Sequence, residues 1–415
     1  MKFAHMADVH IGSWRDPKLK DLATEAFIRA MDICVKKKVD FILISGDLFN
    51  TALPGIDNLK SVVKEFKLLK EKDIPVYVIP GSHDYSPSGK TMIDVLEEAG
   101  LLVNVFKGKV VDEKLQLKFT KDEKTGVKIT GVLGRRGTLE KLYYQDLDLE
   151  HLEKEHGKKI FMFHTSITEL KPGHKSAMDS TDVSYMPKNF DYYAGGHVHI
   201  IHKYDFKDHK NVVYPGPLFP ANFEELEELG NGGFYICEDD THSSHGAHEK
   251  TVKMEREELP IKNTFKIEID CEHKTPEEVD SMIYSHIKGK EFINTIVMIR
   301  VAGKLKTGKV SDINFREIFS KCYSQGAFFV MRNTVKVVSA EYEEIKIDQK
   351  NPEDVEEAII KEHLGQIKVQ GFDAETESRI TRELMNILSS EKHEGEKVYE
   401  YEERVKKDVD RLLEL

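Results

Sequence analysis

In five places this 415-residue chain ends an apolar run with a carboxylate, an imidazole or both. Lys2–Met6 is followed by Ala7-Asp8-Val9-His10, Phe41–Ile44 by Gly46-Asp47, and Val76–Ile79 by Gly81-Ser82-His83-Asp84. Ile160–Phe163 is followed by His164, and Tyr192–Ala194 by Gly195-Gly196-His197-Val198-His199. The spacings D-x-H and H-x-H set two ligands on the same side of an extended segment, so both reach one site. A carboxylate has two oxygens and can bridge two cations. Mixed carboxylate and imidazole ligation suits Mn²⁺, Fe or Zn²⁺ better than Ca²⁺. Gly46, Gly81, Gly195 and Gly196 allow sharp turns beside the ions. One histidine after a strand is ordinarily a turn or core residue; five such segments together point to a metal centre.

The elements that must carry these residues alternate along the first half. Leu22, Ala26, Ala30, Ile33 and Cys34 recur at helical spacing between the first two apolar runs, and Leu59, Val62, Val63, Phe66 and Leu69 between the second and third. Thr91–Ala99 is a third helix. Strand–helix alternation predicts a parallel sheet covered on both faces, with ligands beyond the carboxyl ends of its strands. The later runs Val127–Val132, Ile160–Phe163, Tyr192–Ala194, Asn211–Tyr214 and Gly233–Cys237 lack helical stripes between most of them and predict an added layer of mixed strands.

Leu259-Pro260 marks a boundary. Strands at Phe265–Ile269, Ile296–Val301 and Phe328–Val335, with helices at Pro276–Ile287 and Ile313–Gln325, predict a small α/β domain over 263–348. Asn351-Pro352 is a helix start. Ile380, Leu384, Ile387 and Leu388 stripe one helix; after a break near Gly395, Val398, Tyr401, Val405, Val409, Leu412 and Leu413 stripe another.

The net charge is −12, of which residues 351–415 hold −8. Indiscriminate nucleic-acid binding is disfavoured, but a local basic groove is not. Cys34, Cys237, Cys271 and Cys322 lie far apart, which excludes a cysteine-paired zinc site and predicts buried thiols. Asp8 falls too early for a signal peptide core, and no run is long enough to span a bilayer. A cytoplasmic protein is expected.

The ordered set D-x-H, G-D, G-x-H-D, a lone His and G-H-x-H resembles the calcineurin-like metallophosphoesterases. KFAHMADVHIG, DFILISGDLFN (40–50), IPGSHD (79–84), YYAGGHVH (192–199) and VVYPGPL (212–218) resemble the meiotic-recombination-eleven (SbcD-type) double-strand-break repair nucleases within them. The resemblance implies an α/β sandwich of two mixed sheets flanked by helices over 1–260, a small α/β capping domain over 263–348, and a helical partner-binding tail over 351–415. It implies two Mn²⁺ ions: Asp8, His10, Asp47 and His199 on the first, and Asp47, His164 and His197 on the second. The family's second ion also takes an Asn where this chain has Ser82. His83 would act on the scissile phosphate, with Asp84 orienting its imidazole. Many relatives have a histidine where this chain has Asn50, a position tied to exonuclease action.

The implied activity is Mn²⁺-dependent 3′-to-5′ exonuclease and single-strand endonuclease cleavage of DNA. The implied partners are a coiled-coil ABC-type ATPase on the tail and a second copy of the chain. Two other readings stay open: a DNA-end-tethering scaffold in which catalysis has decayed, which Ser82 and Asn50 favour, and a small-molecule phosphodiesterase on the same metal core. Arg135-Arg136 could contact DNA phosphate, though a plain surface loop is the simpler reading. The histidines of 241–248 read as a solvated hairpin tip.

Overall fold

Alternate residues of the first strand, β1 (Lys2–Met6), enter different cores: Phe3 goes to one side, Ala4 and Met6 to the other. A strand with two apolar faces must be covered on both. The computed structural model describes residues 1–86, 89–135, 140–171, 179–239, 252–339, 374–390, 392 and 398–413. After β1 come α1 (Leu22–Lys37), β2 (Phe41–Ser45), α2 (Ile56–Glu71), β3 (Val76–Ile79), α3 (Met92–Glu98) and β4 (Val103–Asn104). Next are the hairpin β5 (Gly108–Val111) and β6 (Lys114–Leu117), then β7 (Thr120–Lys121), β8 (Lys128–Val132), α4 (Glu140–Gln145), α5 (Leu149–Lys154) and β9 (Lys159–His164). β10 (Tyr192–Gly196), β11 (Ile201–Tyr204), β12 (Val212–Pro215), α6 (Phe223–Leu229), β13 (Gly232–Asp239) and β14 (Val252–Leu259) follow.

Two mixed sheets result. One has the order β14-β13-β1-β2-β3-β4, with β1 to β4 parallel; the other has the order β11-β12-β10-β9-β8-β7, with β8, β9, β10 and β12 parallel. The Gly233–Cys237 run, expected among the later strands, joins the first sheet instead, antiparallel to β1 with Ile236 opposite Ala4. It pairs backbone groups along an edge of β1 that would otherwise be bare.

The sheets stack face to face. Phe3, Phe41, Leu43 and Ile79 meet Ile129, Ile160, Met162 and Tyr192 between them. α1, α2 and α3 cover the outer face of the first sheet, where Phe27, Phe66 and Leu96 pack on Ala4, Ile42 and Val78. His5 lies fully buried between the sheets, its ring nitrogens 2.9 Å from the Tyr192 hydroxyl and 3.1 Å from Ser45 Oγ. Burial pushes its pKa down to about 3. All four cysteines are buried and unpaired by disulfides.

Beyond β14 a three-stranded parallel sheet forms from β15 (Asn263–Asp270), β16 (Thr295–Lys304) and β17 (Phe329–Val338). α7 (Pro276–Ile287) opens with a reciprocal Thr275–Glu278 cap and a proline in its first turn. Together with α8 (Phe315–Ser324) it covers one face of this sheet. The other face presents Ile296 and Met298 to Leu226, Leu259 and Ile261 of the preceding domain. Residues Met1–Glu341 form one unit and Tyr342–Leu415 a second. In the second, α9 (Ala374–Leu388) and α10 (Val398–Leu412) meet where the Tyr401 hydroxyl donates to the Ser390 carbonyl at 3.0 Å. The expected helix start at Asn351-Pro352 lies outside the described residues. No helix among the described residues is long and apolar enough to cross a membrane.

Candidate metal centre

The carboxyl ends of β1, β2, β3, β9 and β10 converge on one rim. The junction between the sheets is tight there: the His164 ring donates through Nδ1 to the Ser45 carbonyl at 2.8 Å. Gly46 sits beneath that ring with φ +89°, and a Cβ there would collide with the imidazole. Gly81 has ordinary φ, but a Cβ on it would strike the Asp47 carboxylate and backbone. Close approach, rather than a sharp turn, requires that glycine.

Asp8, His10, Asp47, Ser82, Asp84 and His164 are buried; His83, His197 and His199 are half-buried at the opening. Ligand atoms of Asp8, His10 and His199 lie within 4.8 Å of one another, as do those of His10, Asp47 and His83, and of Asp8, Asp47 and His164. Asp47 Oδ2 faces His10 Nε2 at 3.6 Å and His164 Nε2 at 3.2 Å. His10 Nε2 lies 3.0 Å from His199 Nε2, and His199 Nε2 lies 3.6 Å from Asp8 Oδ1. His197 joins through its backbone N–H, which donates to both Asp8 oxygens at 2.9 and 3.1 Å, while its ring packs against that of His164 with centroids 5.1 Å apart.

Asp8, His10 and His199 converge as the spacings predict, whereas His197 belongs to none of these three clusters, and neither pair lies on extended backbone. Asp8, His10, Asp47, His197 and His199 take φ of +50°, +46°, +52°, +94° and +57°. This left-handed region is costly for residues with a Cβ and clusters at functional sites. Val9 and Val198, buried between the ligand pairs, pin the two turns into the core.

Asp84 does not orient His83. Its carboxylate accepts from Gly81 N–H at 2.9 Å, Phe49 N–H at 3.0 Å and Leu48 N–H at 3.3 Å, tying the β3 loop to the β2 loop. His83 is oriented instead by the Asn50 carbonyl, 2.9 Å from its Nδ1. Arg135, read as plain surface, lies with its guanidinium 5.3 Å from the Tyr85 ring and 5.8 Å from Tyr143. Its neighbour Gly134 packs on His164 so closely that a Cβ would collide with the ring. Arg136 and residues 241–248 lie outside the described residues. Sequence reasoning missed Glu225, whose Oε1 is 2.8 Å from His199 Nδ1; the Asn222 cap on Glu225 N–H was its only local signal.

The electrostatics call for a cation. His164 commits Nδ1–H to Ser45, which leaves the Nε2 lone pair, buried and without a hydrogen-bond partner, aimed at a carboxylate oxygen. Lone pair against lone pair is repulsive unless a proton or metal ion lies between. Burial would lower the His164 pKa, but Asp47 outweighs it and holds it near 9. Burial would raise Asp47, but His164, His10 and His83 hold it well below the usual carboxylate range. Burial pushes His10 and His197 down to about 3, leaving neutral, ligand-ready imidazoles. Burial pushes Asp84 up to about 7, with Asp47 adding to the shift. This nitrogen–oxygen donor set fits a divalent metal centre.

The calcineurin-like phosphoesterase family matches residues 1–200. The DNA double-strand break repair protein Mre11 of Archaeoglobus fulgidus is 28% identical over 237 residues, covering 55% of this chain and 52% of that protein. The chain thus spans about half the length of that relative. The Mre11 of Methanocaldococcus jannaschii is 26% identical over 398 residues, 93% of this chain and 95% of its own. The uncharacterized metallophosphoesterase YhaO of Bacillus subtilis is 29% identical over 247 residues, 57% of each.

Proposed function

We propose that this chain, whose residues 1–200 match the calcineurin-like phosphoesterase family, is a metal-dependent hydrolase and that its substrate is DNA at double-strand breaks. The observation that carries this is the reach of one resemblance. Similarity to a double-strand break repair protein covers 93% of the chain, more than the sandwich and the second α/β domain together hold, and so reaches into the tail. A small-molecule phosphodiesterase would need only the sandwich.

In this reading Asp8, His10, Asp47 and His199 hold one ion, and Asp47, His164 and His197 the other, with Ser82 beside it. Two Mn²⁺ ions, when bound, supply charge neutralisation and a water of lowered pKa for in-line attack on the phosphodiester. The protein's part is to orient. Asp47 spans both imidazole groups. His164 presents the Nε2 lone pair because Ser45 holds its other nitrogen. His83, its Nδ1 held by Asn50, is left with Nε2 to pass a proton to the leaving oxygen. Arg135, stacked on two tyrosines at the rim, meets the DNA backbone.

The products follow as 3′-to-5′ exonucleolytic and single-strand endonucleolytic fragments. The tail docks a coiled-coil ABC-type ATPase, and the chain acts as a homodimer. Deleting 351–415 should abolish ATPase binding and leave 1–341 folded, in keeping with its standing as a unit; undiminished binding would refute that role.

The deciding experiment incubates the protein with Mn²⁺ and end-labelled single- and double-stranded DNA beside Asp47→Ala. Cleavage lost in that variant supports the reading. No cleavage by the parent but cleavage by Ser82→Asn would favour a DNA-end tether.

A further inference from the structure

We propose that α6 couples the position of the second α/β domain to the metal centre, through His199–Glu225 on one face and Glu227–Arg300 on the other. This rests on reading His199 as a metal ligand, not on the identity of the substrate.

Glu225 holds His199 by geometry. Its Oε1 lies 2.8 Å from His199 Nδ1, and its Oε2 accepts from Ala221 N–H at 2.8 Å. Both oxygens are engaged, so the carboxylate cannot swing without moving the imidazole. With Nδ1–H committed to Glu225, His199 Nε2 is left as the lone pair facing Asp8 and His10. Such outer carboxylates fix the tautomer and aim of a ligating histidine.

Two residues on, roughly 200° around the helix, Glu227 points the other way. Arg300 of β16 grips it as a fork, Nε at 2.7 and 2.9 Å and Nη2 at 2.5 Å, with the guanidinium 5.3 Å from the Phe223 ring. A bidentate guanidinium–carboxylate pair fixes direction as well as distance. Other contacts across this junction include Ile296 and Met298 on Leu226 and Leu259, which are apolar and set no direction of their own, and Lys18 Nζ over the Tyr323 ring at 4.6 Å, on a different element from α6. The segment before α6 is anchored to the sandwich: Leu218 N–H donates to the Asp8 carbonyl at 3.3 Å and Trp14 Nε1 to the Pro220 carbonyl at 2.9 Å. α6 is therefore a short lever, pivoted at residues 218–220 and gripped by Arg300. Because Glu225 and Glu227 share one turn, a shift of the second domain moves Glu225 and re-aims His199.

The test is Mn²⁺ titration by calorimetry on the full chain, for the parent, Glu225→Gln, Arg300→Met and the double variant. Nitrogen NMR of the histidine rings in the metal-free proteins reads the His199 tautomer, and thermal unfolding confirms that each variant folds. Glu225→Gln should weaken Mn²⁺ binding about 10- to 100-fold and redistribute the tautomer. Arg300→Met, remote from every ligand, should weaken binding several-fold and shift the tautomer the same way. The double variant should bind no more weakly than Glu225→Gln alone. Unchanged affinity and tautomer in Arg300→Met would overturn the coupling, and full additivity would show that Arg300 acts by another route. If the parent bound no Mn²⁺, the hydrolase reading would fail separately, and the tautomer comparison would still decide whether Arg300 reaches His199.

Discussion

The backbone N–H of His83 donates to Asp47 Oδ1 at 2.8 Å, while Oδ2 of the same carboxylate faces His10 and His164. The two oxygens divide the work: one holds the β3 loop in place, and the other alone stands between the two imidazoles. An amide at this position keeps the size but loses the charge that the two proposed ion sites would share. Asp47→Asn should therefore lower metal-dependent phosphodiester cleavage by at least ~10³-fold, the scale of losing a key electrostatic group, and reduce bound Mn²⁺ from two to one or none. Steady-state cleavage and calorimetric stoichiometry measure both; two ions bound at parental affinity would contradict the shared role.

Ser82 is buried in the β3 loop beside His83, and in the proposed two-ion reading a longer amide at this position would reach the second ion where a short hydroxyl does not. Ser82→Asn should tighten the weaker Mn²⁺ site by roughly tenfold, equivalent to ~1.4 kcal/mol for one added ligand. Titration of both proteins decides, and equal affinities would show that Ser82 already ligates as well as an amide.

Asp84 supports the site mechanically. Asp84→Ala strands the N–H groups of Leu48, Phe49 and Gly81 in a buried loop. At about 1–3 kcal/mol per unsatisfied group, partly relieved by water, the loss should reach about 3–5 kcal/mol. Denaturant unfolding in chelator tests this without any metal. A variant of parental stability would mean that the loop finds other partners.

His5 adds a pH dependence of its own. Its pKa lies near 6.5 unfolded and about 3 in the folded chain. Between these values the unfolded state binds more protons, so acidification destabilises the fold by up to ~1.4 kcal/mol per pH unit, and above pH 6.5 the effect vanishes. His5→Leu should be the less stable protein at pH 7.5, by about 1–3 kcal/mol for the stranded Ser45 and Tyr192 hydroxyls. The gap should shrink as the pH falls below 6.5 and reverse sign before pH 4, because the loss over that range, roughly 3 kcal/mol, is as large as or larger than the gap itself. Parallel stability curves for the two proteins would show that His5 does not titrate as described.

The strands and helices of the sandwich were legible because their cores are written as alternation and stripe: Phe3 and Ala4 diverge to different faces, and Leu22, Ala26 and Ala30 share one. The rim was legible because Asp8, His10, Asp47, His164, His197 and His199 each follow an apolar run. What was hidden depends on where distant segments meet. Nothing near Gly233–Cys237 names β1 as its neighbour. Asp84 sits beside His83 in sequence, yet its partners are the backbone groups of Gly81 and of a loop 35 residues away. Glu225 is one of many acidic residues until the fold places it against His199. The left-handed backbone at five site residues is invisible because aspartate and histidine, unlike glycine, do not announce it.

His10 and His199 are 189 positions apart, and both sheets must close before either imidazole meets the other. During synthesis, Asp8, His10 and Asp47 leave the ribosome as isolated side chains with no partner to complete them. The candidate centre is thus complete only after β9, β10 and α6 have docked. A chain terminated before His199 lacks a member of this residue set and cannot assemble the candidate centre.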